Sequence, residues 1–243
     1  MDDRAHGVDL MTRRARPGPP GTRRDEANSV LDTTEIRWFV PGPLPADIAG
    51  WFRGSTGVSE ERYDTYLLGG RRDTGVKRRF RQTLEVKVRQ SLEERVELGD
   101  GLTGPLEVWR KWSPADDPDD DVIDGPWVDV HKSIVKRRFS IDGTENVFSS
   151  DLPAAGPGCD VEVAGVTVGA VRAWTFAFAA FGSPATRRDA LLAAWSALVA
   201  APFPATLGPR DSRAMGYPEW LAITVSPGST GSRRGDDPAV RCG

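Results

Sequence analysis

Three features of the sequence predict a mainly β protein of the α+β class. About eight segments alternate apolar side chains with charged or polar ones, as half-buried strands do. Most of these segments are joined by short turns that contain Gly or Pro. Only two segments predict clear helices, a long one over Pro184 to Ala201 and a short one over Pro45 to Phe52.

Both ends of the 243-residue chain are predicted to be disordered. Residues 1–32 and 226–243 are rich in Arg, Gly, Pro and other polar residues and carry few large apolar groups. Such segments cannot bury enough surface to offset the entropy that is lost on ordering. The folded domain is therefore predicted over residues 33–225, which is long enough to bury a sizeable core.

The charge pattern favours a compact anion over nucleic acid as a partner. The net charge is −3, but basic residues cluster at 71–89 and 131–138, and acidic residues cluster from Asp116 to Asp124. This balance does not suggest general or sequence-specific nucleic-acid binding, whereas a local basic cluster suits a small anion.

The cysteines and the apolar runs indicate a reducing compartment. Cys159 and Cys242 are the only cysteines, so neither a disulfide framework nor a thiolate zinc site is expected. No secretory signal is evident, and the longest apolar run, Trp174 to Phe181, is too short to span a bilayer. A cytoplasmic location without a membrane partner is the expectation.

In the first part of the chain, local patterns predict a strand, a helix and a second strand. Residues 35–39 alternate charged and apolar side chains, and the prolines that follow end this strand. Residues 45–52 place their large apolar groups on one side, which predicts the short helix. A β-branched and aromatic strand follows over 61–67.

Residues 75–90 predict a hairpin that turns near Gln82. In its second strand Glu85, Lys87 and Arg89 share one face, because successive side chains of an extended chain point to opposite sides. The apolar residues between them take the other face.

The rest of the chain predicts four more strands, the long helix and a final short segment. Ser183 and Pro184 are typical of a helix start, and an apolar stripe with helical spacing follows them. The segment Tyr217 to Leu221 is expected to pack on the outside of the sheet. The four strands cover Leu106 to Trp112, Val128 to Ile141, Cys159 to Val168 and Val171 to Phe181.

Several predicted strands carry charge on one face and large apolar groups on the other, which leaves two architectures open. One is an open sheet whose charged face meets water. The other is a closed barrel whose charged face points inward and whose apolar face is covered by helices. Inward charges require partners or a polyvalent ion, because unpaired buried charge is very costly.

In a closed barrel, the inward charges would suit a metal-bound small polyphosphate or nucleotide. Lys and Arg hold phosphate oxygens, Arg bidentately, and clustered carboxylates hold Mg²⁺ or Mn²⁺. The basic candidates for substrate binding are Arg37, Lys77, Arg79, Lys87, Arg89, Lys111, Lys136 and Arg138. The acidic candidates for metal binding are Glu35, Glu85, Glu107, Asp160 and Glu162.

The order of these motifs resembles the CYTH superfamily, the triphosphate tunnel metalloenzymes, and in layout a divergent branch of it. The resemblance covers residues 34–182. It rests on Glu35 with Arg37, Asp64 to Tyr66, Gly75 to Arg79, Leu84 to Lys87, Glu107 to Trp112, Lys136 to Arg138 and Asp160 to Glu162.

The resemblance implies an eight-stranded antiparallel closed, tunnel-like barrel with outer helices. It also implies metal-dependent hydrolysis of inorganic, nucleoside or thiamine triphosphate, in which Mg²⁺ or Mn²⁺ neutralises the transferring group and positions a water. By this resemblance Lys77, Arg79, Lys87, Arg89, Lys136 and Arg138 would hold the phosphates. Glu35, Glu85, Glu107 and Glu162 would be the metal ligands.

Departures from the family pattern bear on catalysis. The family opens with Glu-x-Glu-x-Lys, whereas here Arg37 replaces a carboxylate and Phe39 replaces the lysine. Ala177 and Ala179 stand where a late strand would project a further carboxylate. Three functions stay open: a metal-dependent triphosphatase, a non-catalytic module that binds oligophosphate or a nucleotide, and a protein-interaction domain with a solvated charged face.

Overall fold

The computed structural model describes the chain from Ser29 to Val225 with short gaps. The described ranges are 29–54, 56–69, 71–79, 83–99, 101–114, 123–146, 156–200 and 212–225. The disorder predicted for 1–28 and 226–243 and the predicted hairpin turn near Gln82 lie outside them. One boundary is corrected, because the first strand already begins at Ser29, within the segment predicted to be disordered.

Ten strands and three helices make up the described fold. The strands are β1 Ser29–Pro41, β2 Val58–Leu67, β3 Thr74–Arg79, β4 Thr83–Glu97, β5 Thr103–Ser113, β6 Trp127–Ser140, β7 Glu145–Asn146, β8 Gly158–Val168, β9 Val171–Phe181 and β10 Arg213–Ala214. The helices are α1 Ala46–Arg53, α2 Pro184–Val199 and α3 Tyr217–Thr224.

Eight of the strands form a closed antiparallel barrel, which confirms the predicted fold class. The order around the barrel is β1-β5-β4-β3-β2-β6-β8-β9, and β9 pairs again with β1. Residues 29–35 of β1 pair with β5, and residues 34–41 pair with β9. This stagger along one strand is what lets a tilted sheet close on itself. The two-residue strands β7 and β10 lie beside β6 and β1.

The apolar faces of the strands form a jacket outside the barrel. Ile36 and Trp38 of β1 and Phe178 of β9 are buried there against Leu191 and Trp195 of α2. Because side chains alternate along a strand, burying these residues outside turns their charged neighbours inward. None of the described helices is long and apolar enough to cross a membrane.

Helix α3 is not part of the barrel wall, and it covers one mouth of the barrel. Trp220 stacks on Phe39 with ring centroids 4.6 Å apart, and Tyr217 stacks on Tyr66 at 5.7 Å. Phe39 and Tyr66 occupy inward positions of β1 and β2, in the same alternation as Arg37 and Asp64. The helix therefore packs on the inner face at the barrel end and not on the outer face of the sheet.

Candidate anion-binding cavity

The barrel encloses a cavity of about 250 Å³ whose wall is strongly charged. This volume lies below the roughly 300–1,000 Å³ of drug-sized ligand pockets, so the cavity suits a small ligand. Eleven of the thirteen predicted site residues line it. They are Glu35, Arg37, Lys77, Arg79, Glu85, Lys87, Glu107, Lys111, Lys136, Asp160 and Glu162.

Arg89 and Arg138 are the two predicted residues outside the cavity wall. The Nη1 of Arg89 donates to Glu107 Oε1 at 2.5 Å. Arg138 donates from Nε and Nη2 to the two oxygens of Asp160, at 2.6 and 2.8 Å. Both arginines therefore hold carboxylates of the wall, and their prediction as phosphate ligands receives no support from their position.

Three charged residues that were not predicted as site residues also lie at the cavity. Arg62 and Lys132 line the cavity, and the buried Asp64 lies beside them. The signal was present in the alternation, since Arg62 and Asp64 share a face of β2 and Lys132 shares a face of β6 with Lys136. The alternation places these residues on the inward face, but it does not show which residues of that face reach the cavity.

Each predicted metal ligand is held by a cation from another strand, either the adjacent one or, for Glu35 and Glu162, the next strand beyond it. Lys87 Nζ donates to both oxygens of Glu35 at 2.6 Å. Glu85 accepts from Lys77 at 2.7 Å and from Arg79 at 2.9 Å. The β3–β4 register sets the contact between Lys77 and Glu85, because the two residues lie directly opposite each other.

This pairing keeps the carboxylates charged. Burial alone would raise the pKa of Glu85, but Lys77 and Arg79 outweigh it and hold the pKa at about 2. Burial likewise opposes ionisation of Glu162, and Arg37, Lys136 and Arg62 together bring its pKa below the usual value. The wall is therefore a network of ions rather than of neutral acids.

The most buried ion pair lies near the mouth that α3 covers. Lys132 is 1% exposed, and its Nζ donates to Asp64 Oδ2 at 2.6 Å and to Tyr66 Oη at 2.7 Å. The same ammonium lies 4.0 Å from the centroid of the Tyr217 ring. Burial lowers the pKa of Lys132, and Asp64 opposes that shift.

The described carboxylates do not form a metal site. No group of three or more His, Cys, Asp or Glu side chains converges within the described part of the chain. Glu35 and Glu107 lie opposite each other across β1 and β5, but Lys87 and Arg89 hold them. Mg²⁺ usually binds one or two carboxylates together with substrate phosphates, and here each predicted carboxylate would first have to give up its Lys or Arg partner, so the residues present do not fit the metal that the resemblance implies.

The wall carries more positive than negative side chains. Eight Lys and Arg residues and five carboxylates line the cavity. Lys111 has no carboxylate within 4 Å among the described residues, although Glu85 and Glu35 act on it at longer range. Lys111 also lies directly opposite Lys87 in the β4–β5 ladder. Two lysines in this position repel each other, and Glu35, which contacts Lys87 and acts on Lys111 at longer range, offsets part of this repulsion.

Three further donors in the wall lack hydrogen-bond partners within the described part of the chain. The Nε atoms of Arg62 and Arg79 and the Oη of Tyr217 are buried, and none has a hydrogen-bond partner among the described residues, although Arg62 Nε lies 3.4 Å from Asp64 Oδ2. Burial raises the pKa of Tyr217, so its hydroxyl stays protonated and available as a donor. Buried polar groups are nearly always satisfied in folded proteins, so these donors suit a ligand oxygen that enters the cavity.

Comparison with known proteins adds no identification. No family model and no curated protein matches this sequence. The resemblance to the CYTH superfamily therefore rests on its motifs and stays a prediction.

Proposed function

We propose that the barrel binds a compact polyanion of the oligophosphate class, either inorganic triphosphate or the triphosphate group of a nucleotide or of thiamine triphosphate. The observation that carries this proposal is the excess of cations over carboxylates around one small enclosed cavity. A ligand with several charged oxygens would match the wall in both sign and hydrogen-bonding capacity.

Lys111 and Lys87 are the proposed anchors of the ligand. An anion between them would add to the compensation that Glu35 gives these two ammonium groups, and Lys111 has no carboxylate within 4 Å among the described residues to give up. Arg79 and Tyr217 would supply two of the donors that lack hydrogen-bond partners among the described residues. Lys111 and Tyr217 can contact the ligand without breaking an ion pair among the described residues, whereas Lys87 and Arg79 would share their charge between the ligand and Glu35 or Glu85.

Hydrolysis assisted by Mg²⁺ or Mn²⁺ stays a prediction of the family resemblance. The paired carboxylates do not support it, so binding without turnover is the function that the geometry favours. Phosphate release from tripolyphosphate, with either metal and with Glu85→Gln as the control variant, decides between the two.

Calorimetric titration with tripolyphosphate tests the proposal. The wild type is expected to bind, and Lys111→Gln should lose about tenfold or more in affinity, because hydrogen bonds to charged groups contribute about 1.5–3 kcal/mol. Arg188→Gln is the control, since Arg188 pairs with Glu94 on the outside of the barrel.

Two results would argue against the proposal. One is a wild-type protein that shows no binding of tripolyphosphate. The other is an equal loss of affinity in Lys111→Gln and Arg188→Gln, which would place the anion outside the cavity.

A further inference from the structure

On the inner face of the barrel, Arg37 reaches across the short side chain of Ala177 to the next strand. Arg37 of β1 lies opposite Ala177 of β9, and Ala177 lies opposite Glu162 of β8. Because the side chain of Ala177 ends at Cβ, the guanidinium reaches across it. Arg37 Nη1 donates to Glu162 Oε1 at 2.8 Å and to Thr175 Oγ1 at 2.9 Å.

The neighbouring row of residues has the same construction. Glu35 lies opposite Ala179, and Ala179 lies opposite Asp160. No acidic side chain projects between the two carboxylates from β9. Lys87 holds Glu35 and Arg138 holds Asp160, so the chain supplies its own cation to each acidic group of this wall.

A divalent ion at Glu162 would have to displace Arg37. The side chains of Arg37 and Glu162 are only 16% and 14% exposed. A displaced guanidinium would remain next to the metal in a poorly hydrated space, where like charges repel strongly. The position that departs most from the family's acidic signature thus holds a fixed positive charge.

We infer that Arg37 is an internal cation that takes the place of a divalent metal, so that the cavity binds oligophosphate without one. This inference rests on the proposed function. It also predicts a preference for the free anion. Mg²⁺ cancels part of the ligand's negative charge, which is the part that the surplus Lys and Arg residues attract.

Titration of the full chain with tripolyphosphate in EDTA and again in excess Mg²⁺ tests the inference. We expect binding in EDTA, and an affinity in Mg²⁺ that is equal or weaker by up to about tenfold. Binding that appears only with Mg²⁺, or that Mg²⁺ strengthens about tenfold or more, would overturn the inference and leave the proposed function standing. Absence of binding in both buffers would overturn both the inference and the proposed function.

Mn²⁺ without any phosphate provides a second readout. The melting temperature of the wild type should not change with Mn²⁺, whereas Arg37→Glu, which places a new carboxylate between Glu35 and Glu162, should gain stability from the metal. Arg188→Gln should behave as the wild type. Stabilisation of the wild type by Mn²⁺ would overturn the inference even if Arg37→Glu fails to fold, and a folded Arg37→Glu protein whose melting temperature does not change with Mn²⁺ would overturn the role given to Arg37.

Discussion

At the residue scale, the pair Asp64 and Lys132 shows what an inward charged face demands of the chain. Lys132 is almost fully buried, and its ammonium group contacts one carboxylate and two tyrosines. Asp64 also lies 3.5 Å from Lys77 and 3.4 Å from Arg62. One carboxylate therefore compensates several cations at this point.

Asp64→Asn is expected to destabilise the fold by about 3–5 kcal/mol, because it leaves buried cations without a counter-charge. Denaturant unfolding measures this difference. Glu61→Gln is the control, since Glu61 pairs with His131 on an exposed surface and should change stability by less than about 1 kcal/mol.

A double variant separates loss of charge balance from loss of shape. Asp64→Asn combined with Lys132→Met should recover part of the lost stability, because both charges of the pair are then gone. Purely additive losses would show that Asp64 and Lys132 are not coupled.

The alternation of single residues predicted much of the candidate site. Side chains on one face of each predicted strand included eleven residues that line the cavity. The ion-pair partners of these residues could not be predicted from the sequence, because pairing depends on the register of strands far apart in sequence. Arg37 and Glu162, for example, are separated by 125 positions and meet only through the two ladders of β9.

At the scale of elements, the eight barrel strands and helices α1 and α2 followed from local pattern, whereas two features depended on tertiary contacts. Strand β1 extends back to Ser29 because residues 29–35 pair with β5 and because Arg110 donates to both oxygens of Asp32 at 2.7 Å. The short α3 carries too few residues to reveal from its sequence which surface it covers.

Closure of the mouth by α3 leads to a prediction about Trp220. This side chain is 6% exposed and stacks on Phe39. Trp220→Ala should destabilise the fold by about 3–5 kcal/mol, as large core truncations do. Thermal or denaturant unfolding measures it.

Ile223→Ala on the same helix is the matched control, because Ile223 is 43% exposed. Its effect should be much smaller. Equal effects of the two substitutions would indicate that α3 stabilises the barrel through its helical backbone and not through the stack of rings at the mouth.

At the scale of the whole molecule, the barrel reverses the usual arrangement of a β-barrel with an apolar interior. One cluster of large apolar side chains forms a jacket between strands and helices, a second fills the barrel end that α3 covers, and the ionic side chains face the cavity. Such an interior is stable only when its charges are compensated. The remaining positive surplus in the wall gives the molecule its proposed capacity for an anion.

A crystal structure of the full chain with tripolyphosphate, grown without divalent metal, tests this account most directly. The account predicts density for linked phosphates inside the barrel, with oxygens within hydrogen-bond distance of Lys111 and Lys87. Tripolyphosphate bound only to the outer surface, with an unchanged Lys111 inside the cavity, would contradict it.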